Sequence, residues 1–482
     1  MKVIERGRNN MSGIFYKPKD AYVGDFIPYY EEGEFKLFYL HGWRENYDTL
    51  KETGWFLLST KDFVNFEEYG ACKIQGGTGS VIKRDGIYHM FYCEFPNNRQ
   101  IACHAVSEDF IKWTKIPEDS FGPDENIYEI TDWRDPHVFW NEESQEYWML
   151  IAARVKGPSN RKGCIALCVS QDLKNWDIKE PLYAPNINVG AHECPDIFKM
   201  GEWWYLLYSA YTDKFGTFYR VSKSPNGPWI TPEVDTFDGR AFYAAKSAND
   251  GHDFYIFGWN PTKTDNIFKW NPEAYSGNDY NTWDWGGNLV VHQLVQEVDG
   301  TLNVKVPDKI DKKFSKYITE SFDPVIGEWF INENNLSISS KYSFSCALAG
   351  EMPRVCKLEG TLKYKSNTKA LGFVLRADTN VDKAYYFRLE PDRNRVVFRS
   401  HIMESEEGGK TLPYEVEIER PINLVPNKEY VVKIFVDDTI CEFYLNDKIA
   451  LSTRIYDIEK GKWGVFISEG EADFNLLSLS VI

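Results

Sequence analysis

ESQEYWMLIA, residues 143–152, is a polar turn followed by an aromatic-rich strand, and the chain repeats that form. EEGEFKLFYL (31–40), RDGIYHMFYC (84–93), MGEWWYLLYS (200–209) and NDGHDFYIFGW (249–259) have the same layout. With Phe35, Tyr88, Tyr147, Trp204 and Phe254 as markers, the copies are spaced by 53, 59, 57 and 50 residues. Turn signals fall about every 8–12 residues, which fits short antiparallel strands. A period of this size, built of strands, predicts a β-propeller with one four-stranded sheet per blade. Five copies predict five blades. A β-sandwich with accidental self-similarity is the competing reading.

A second signature falls between the copies. STKDFVNF (59–66), SEDFIKW (107–113) and SQDLKNW (170–176) share a Ser, an acid, an apolar residue and a closing aromatic, and SKSPNGPW (222–229) is a looser version. Each reads as a strand end, a polar turn and the start of the next strand.

The strand before each copy is expected to be the innermost of its blade. These strands read GDFIPYY (24–30), GTGSVIK (77–83), WRDPHVFW (133–140), ECPDIFKM (193–200) and RAFYAAK (240–246). Asp25, Asp135 and Glu193 then stand 10 to 12 residues before their markers. Equivalent positions of a propeller converge on one channel mouth, so three acids from three blades are expected to meet there. Beyond residue 306 the repeat stops. Residues 307–324 read as a charged linker with room for a short helix. EYVVKIFVDDTICEFYLNDKIALSTRIY (429–456) alternates as strands, with turns at Asp437-Asp438 and Asn446-Asp447. The expected division is an all-β chain: a five-bladed propeller over 1–306, a linker over 307–324 and a β-sandwich over 325–482.

Bulk properties narrow the function. The chain has 482 residues and a formal charge of −17, which disfavours nucleic acid and anionic membranes as partners. It has no run of about 18 apolar residues, so no membrane span is expected. The start, MKVIERGRNNMSG, shows no secretory signal, and nine scattered cysteines read as reduced thiols, so a cytoplasmic location is expected. Cys164 and Cys168 have no metal-binding partner pair nearby. Aromatic residues make up 16% of the chain, which suits both a β core and sugar-stacking surfaces. The expected partner is a small carbohydrate, with homo-oligomerisation left open.

Two carboxyl groups flanking a glycosidic bond suffice for its hydrolysis: one protonates the leaving oxygen, the other attacks or activates water. WRDPHVFW resembles the Arg-Asp-Pro motif of glycoside hydrolase family 32, the invertases, levanases and inulinases. HECPDIF (192–198) is similar to that family's Glu-Cys motif, and the strands over 436–456 resemble its C-terminal sandwich. The resemblance implies a retaining mechanism on β-fructofuranosides, with Asp25 as nucleophile, Glu193 as acid/base and Asp135 as transition-state stabiliser. It implies neither a metal nor a cofactor. Arg134 is expected to orient or tune Asp25 or Glu193. Where the family has Asn-Asp-Pro-Asn-Gly, this chain has Gly24-Asp25-Phe26-Ile27-Pro28, and Asp20 competes as the nucleophile. Where the family often has Asp-Phe-Tyr-Ala and Pro-Arg-Glu-Leu, this chain has Ala241-Phe242-Tyr243-Ala244 and VHQL (291–294). The altered contacts surround an intact acid pair, so the chemistry is expected to persist and the sugar recognised is left open.

Ser80, in a small-residue loop, and Trp133, His192, Phe242 and Tyr243 are expected around the substrate. Trp43 and Trp55 are further candidates for sugar stacking. For His192 a packing role weighs equally, and Cys194 is expected to point away from Glu193. Two rivals stand beside this reading: an inverting arabinofuranosidase/xylosidase-type propeller, and a non-catalytic carbohydrate-binding propeller.

Overall fold

The computed structural model describes residues 13–19, 21–42, 54–265, 278–402 and 418–482. Five antiparallel units follow one another. Blade 1 holds strands Tyr22–Glu31, Glu34–Gly42, Trp55–Thr60 and Phe66–Ala71. Blade 2 holds Gly77–Arg84, Ile87–Glu94, Ile101–Ser107 and Thr114–Lys115; blade 3 holds Tyr128–Asn141, Glu146–Val155, Gly163–Ser170 and Asp177–Ile178. Blade 4 has Glu193–Met200, Trp203–Ala210 and Gly216–Ser222, with Ile230 and Thr236 bridging to its outer strand. Blade 5 has Tyr243–Asn249, Phe254–Asp265, Thr282–Gln296 and Leu302–Lys305. The first strand of each blade packs beside the first strand of the next, and the fifth packs against the first, closing a ring. The repeat in the sequence is thus the five-bladed propeller it implied.

Burial on both faces explains why the marker strands are unbroken apolar runs rather than alternating ones. In blade 3, Met149 and Ile151 pack toward blade 2 with Phe91 and Trp133, while Leu150 packs toward blade 4 with Leu206 and Trp204. The polar turns also have a defined chemistry. Thr60, Ser107 and Ser170 accept hydrogen bonds from the backbone two residues on, and Asp62, Asp109 and Asp172 cap the two N–H groups that follow the apolar residue. The intervening Phe63, Phe110 and Leu173 have φ of 61°, 66° and 67° and are buried. The hydroxyl of the first copy is Thr60, not the Ser59 that the sequence alignment suggested.

After a short helix at Asp308–Asp311 the chain builds a second unit of 13 strands in one continuous, barrel-like sheet. Its long strands Asn335–Glu351 and Lys462–Val481 have register shifts and join the layers of the sandwich. The strand Lys316–Ile318, within the expected linker, already pairs with Leu479–Val481. The two units share buried polar contacts. Asp238 accepts from Ser452 N at 2.8 Å and from Ser452 Oγ at 2.5 Å, and its Oδ2 lies 3.0 Å from His292 Nε2. Arg454 donates to the carbonyls of Asn260 and Pro261. These contacts join the propeller to the second unit. No helix among the described residues is long and apolar enough to cross a membrane.

Candidate active site

All five inner strands carry the same irregularity. Two residues face one on the neighbouring strand: Asp25-Phe26 opposite Tyr39, Thr78-Gly79 opposite Tyr92, Asp135-Pro136 opposite Ile151, Cys194-Pro195 opposite Tyr208, and Ala244-Ala245 opposite Gly258. These are β-bulges, which re-aim side chains and end regular pairing. In four of them the first residue is left-handed: Asp25, Asp135, Cys194 and Ala244 have φ of 43°, 58°, 48° and 52°. Such a conformation costs a non-glycine residue of order 1–3 kcal/mol and collects at functional sites. The bulges also account for Arg-Asp-Pro and Glu-Cys-Pro inside strands, because proline is tolerated where the ladder asks it for no hydrogen bond.

The register refines the expected equivalence. Asp25 and Asp135 share a bulge position, as expected. Glu193 stands one residue earlier, level with Arg134, Tyr243, Gly24 and Gly77. Neighbouring blades therefore present Arg134, Glu193 and Tyr243 side by side. Arg134 Nη2 donates to Glu193 Oε1 at 2.9 Å, and Tyr243 OH donates to Glu193 Oε2 at 2.6 Å. Arg134 is itself held by Asp132 at 2.7 Å and by Gln100 at 3.3 Å. Asp25 Oδ1 accepts from Trp259 Nε1 at 3.1 Å. Trp259 stands edge-on to Tyr243 at 5.5 Å, so one pair of aromatic rings links Asp25 to Glu193. Asp135 Oδ2 accepts from Cys194 N at 2.9 Å, which locks the bulge of blade 3 to that of blade 4. Below them Asp196 accepts from Ser247 N at 2.6 Å, and its Oδ1 lies 3.1 Å from His137 Nε2, tying blades 3, 4 and 5 together.

Charge crowding sets the protonation states. Burial, then the Asp135 carboxylate, raises Asp25 to about 7 against the pull of the Trp259 hydrogen bond. Burial raises Glu193 above the usual range, with Arg134 opposing it. Burial and the Glu193 charge push the Tyr243 phenol well up, so it stays a donor. His137 is held at about 4 by burial and is neutral near pH 7. The Glu193 side chain remains 21% exposed and Asp25 is also partly open, so a ligand entering the channel can reach both.

Several expected substrate contacts lie elsewhere. Trp133 is fully buried against Tyr128 at 5.1 Å, and Trp55 is equally buried. His192 stacks on Tyr208 at 4.2 Å inside blade 4, and Phe242 packs on His292 at 4.6 Å. All four are buried, so these residues build the core. Ser80 is buried and accepts from Val138 N at 2.9 Å, joining blades 2 and 3. Cys194 is a buried thiol, but the left-handed backbone puts it among the acids, since Asp25, Asp135 and Glu193 all raise its pKa. Asp20 and Trp43 lie outside the described residues. Two aromatic residues escaped the sequence reading. Trp259 stands in the middle of the blade 5 marker strand, and Trp285, 41% exposed, lies 5.9 Å from it. A Cβ on Gly24 would fall 2.3 Å from the Trp285 ring, and one on Gly42 2.8 Å from it. The indole thus occupies the space beside Asp25 that the family's asparagine side chain would need.

Carboxyl groups from separate blades, gathered at one end of a closed ring and held by a guanidinium and a phenol, define a glycoside hydrolase of the propeller class. The model of the glycosyl hydrolases family 32 N-terminal domain matches residues 17–279, and that of the GH32, BT1760-like, C-terminal domain matches residues 300–475. The chain belongs to glycoside hydrolase family 32. Sucrose-6-phosphate hydrolase of Escherichia coli is 24% identical over 421 residues, which is 82% of this chain and 77% of that protein. The enzyme of the same name from Vibrio alginolyticus is 27% identical over 172 residues, and the match spans 32% of this chain and only 33% of that protein. Among solved structures, exo-inulinase from Aspergillus awamori superposes with a TM-score of 0.68 at 16% identity, covering 98% of both chains. Fructan 1-exohydrolase IIa from Cichorium intybus gives a TM-score of 0.68 at 15% identity, covering 99% of this chain and 97% of that one.

Proposed function

We propose that the chain is a retaining β-fructofuranosidase acting on small saccharides of the sucrose or fructo-oligosaccharide type. Its relatives include a sucrose-6-phosphate hydrolase, a raffinose invertase and exo-inulinases, all named for fructosyl substrates. A carboxylate of Asp25 attacks the anomeric carbon of the fructosyl unit while Glu193 protonates the departing glycosidic oxygen. The fructosyl group is then esterified to Asp25. Glu193, now ionised, takes a proton from water, which attacks the same carbon and frees Asp25. Asp135 accepts hydrogen bonds from sugar hydroxyls. Arg134 and Tyr243 hold the Glu193 carboxyl between them.

The observation that carries this reading is the two-sided clamp on Glu193 facing an Asp25 that sits in a separate, more crowded field. Burial raises both acids, but only Glu193 has a guanidinium and a phenol to carry its charge when it forms. Residues 1–306 form the catalytic propeller in this reading, 307–324 the connection and 325–482 the sandwich. All nine cysteines are buried and free, which supports a reducing, cytoplasmic location.

The test is a panel of sucrose, sucrose 6-phosphate, 1-kestose, inulin, levan and an aryl arabinofuranoside, with product anomers followed by NMR. Release of fructose with initial retention is expected, and Asp25→Asn and Glu193→Gln should each abolish it. Initial inversion, or cleavage of the arabinofuranoside alone, overturns the assignment.

A further inference from the structure

Beneath the acids a lysine crosses the channel. Lys246 follows the bulge of the fifth inner strand and is 2% exposed. Its Nζ donates to the carbonyl of Gly79 at 2.7 Å. Gly79 belongs to blade 2, which does not adjoin blade 5 in the ring: blade 1 separates them on one side, blades 3 and 4 on the other. The side chain therefore bridges blades 5 and 2 across the inner strand of blade 1, whose own bulge holds Asp25. The acceptor site is close-packed, because a Cβ on Gly79 would lie 1.8 Å from the Phe91 carbonyl oxygen.

Several titratable groups surround this ammonium. Burial lowers its pKa, and the carboxylates of Asp196 on blade 4, Asp135 on blade 3 and Asp25 on blade 1 oppose that by favouring the charged form; the Cys194 thiol of blade 4 also faces it. His137, also on blade 3, faces it in the neutral state. Arg134, Glu193 and Tyr243 complete the cluster above. With Asp132, five carboxyl groups thus share Arg134 and Lys246. Arg134 makes its ion pairs with Asp132 and Glu193. Lys246 is the cation that pulls on Asp25.

We propose that Lys246 is a positioning residue for the reaction: braced on Gly79, its ammonium closes the channel under the acids and gives the nucleophile a positive neighbour of its own. The inference rests on Asp25 and Glu193 being the acid pair proposed above. A nucleophile must be ionised when the acid is protonated. Burial and Asp135 work against ionisation of Asp25, and Lys246 is placed to work for it. Arg134 serves the acid and Lys246 serves the nucleophile.

The pH profile of kcat/KM separates this from a merely structural role. Lys246→Gln keeps an N–H for the Gly79 carbonyl and loses the charge; Lys246→Met loses both. In both variants the acidic limb is expected to move up by about one pH unit or more, the low end of what a close opposite charge does. KM should change little compared with kcat, and Lys246→Arg should bring the limb back toward its original place. A limb that stays put in folded Gln and Met variants, with only the melting temperature lowered, overturns the proposal. If the neutral variants do not fold, NMR of the wild-type enzyme labelled at lysine Cε decides. The resonance missing in Lys246→Arg must report a charged ammonium through the active pH range, and a neutral amine there overturns the proposal. A wild-type enzyme inactive on every fructoside, or active Asp25→Asn and Glu193→Gln variants, would instead refute the function proposed above.

Discussion

Tyr243→Phe removes one oxygen from the site and leaves the ring in place. The ring stacks on Phe215 at 4.1 Å and meets Trp259 at 5.5 Å, and neither contact needs the hydroxyl. The loss is the 2.6 Å hydrogen bond to Glu193 Oε2. Such a bond is worth about 1.5–3 kcal/mol to a charged acceptor and about 0.5–1.5 kcal/mol to a neutral one. The carboxylate therefore loses about 1–1.5 kcal/mol more than the protonated acid does. At about 1.4 kcal/mol per unit, the pKa of Glu193 should rise by about one unit. The sign follows from its role. Glu193 must be protonated to expel the leaving group, so kcat/KM falls as pH climbs through its pKa, and a higher pKa moves the alkaline limb up. The acidic limb, set by Asp25, should stay where it is. The assay is initial rates on the best substrate of the panel across the full pH range, for wild type and variant. An alkaline limb that does not move, or that moves down, refutes the clamp on Glu193.

Asp25→Asn should abolish turnover and stabilise the fold at alkaline pH. The pKa of Asp25 is raised to about 7 in the fold. Its contribution to stability is thus greatest below the unfolded value and is lost as pH rises through about 7. Thermal melts should put the variant above wild type at pH 8, with the gap narrowing toward pH 4; a variant less stable at pH 8 contradicts the crowding of acids described above. Gly24→Ala places a methyl 2.3 Å from the Trp285 ring and should cut kcat/KM by at least about tenfold, the equivalent of about 1.4 kcal/mol. Adding Trp285→Ala should recover part of that loss, because the ring that blocks the methyl is gone. Equal kinetics in the single and double variants would show that the indole does not fill that space.

The sequence displayed the architecture because each blade repeats its markers. Aromatic runs buried on both faces and Ser/Thr-x-Asp turns recur at a readable period. It displayed Asp25, Asp135, Glu193 and Arg134 because strands rarely tolerate such residues at their inner ends. Trp133, His192 and Phe242 were placed near the channel only by their nearness in sequence to the inner acids, and the structure buries them. Cys194 was pointed away from Glu193 by reading its segment as extended; its left-handed backbone turns it back among the acids, and such bulges leave little trace beyond a proline. Trp259 and Trp285 were hidden for a different reason: their positions depend on pairing between distant strands. Lys246 was hidden likewise, since its partner carbonyl lies 167 residues away in the chain.

The repeated bulge makes the channel wall a set of interchangeable sockets. The backbone does the aiming, and it does so four times with a left-handed residue at the same position. Carboxylates fill two of those four positions, while Cys194 and Ala244 occupy the other two. New reactivity in this scaffold therefore needs no new loop or strand: a donor or acid installed at residue 244 inherits the backbone orientation of Asp25 and Asp135.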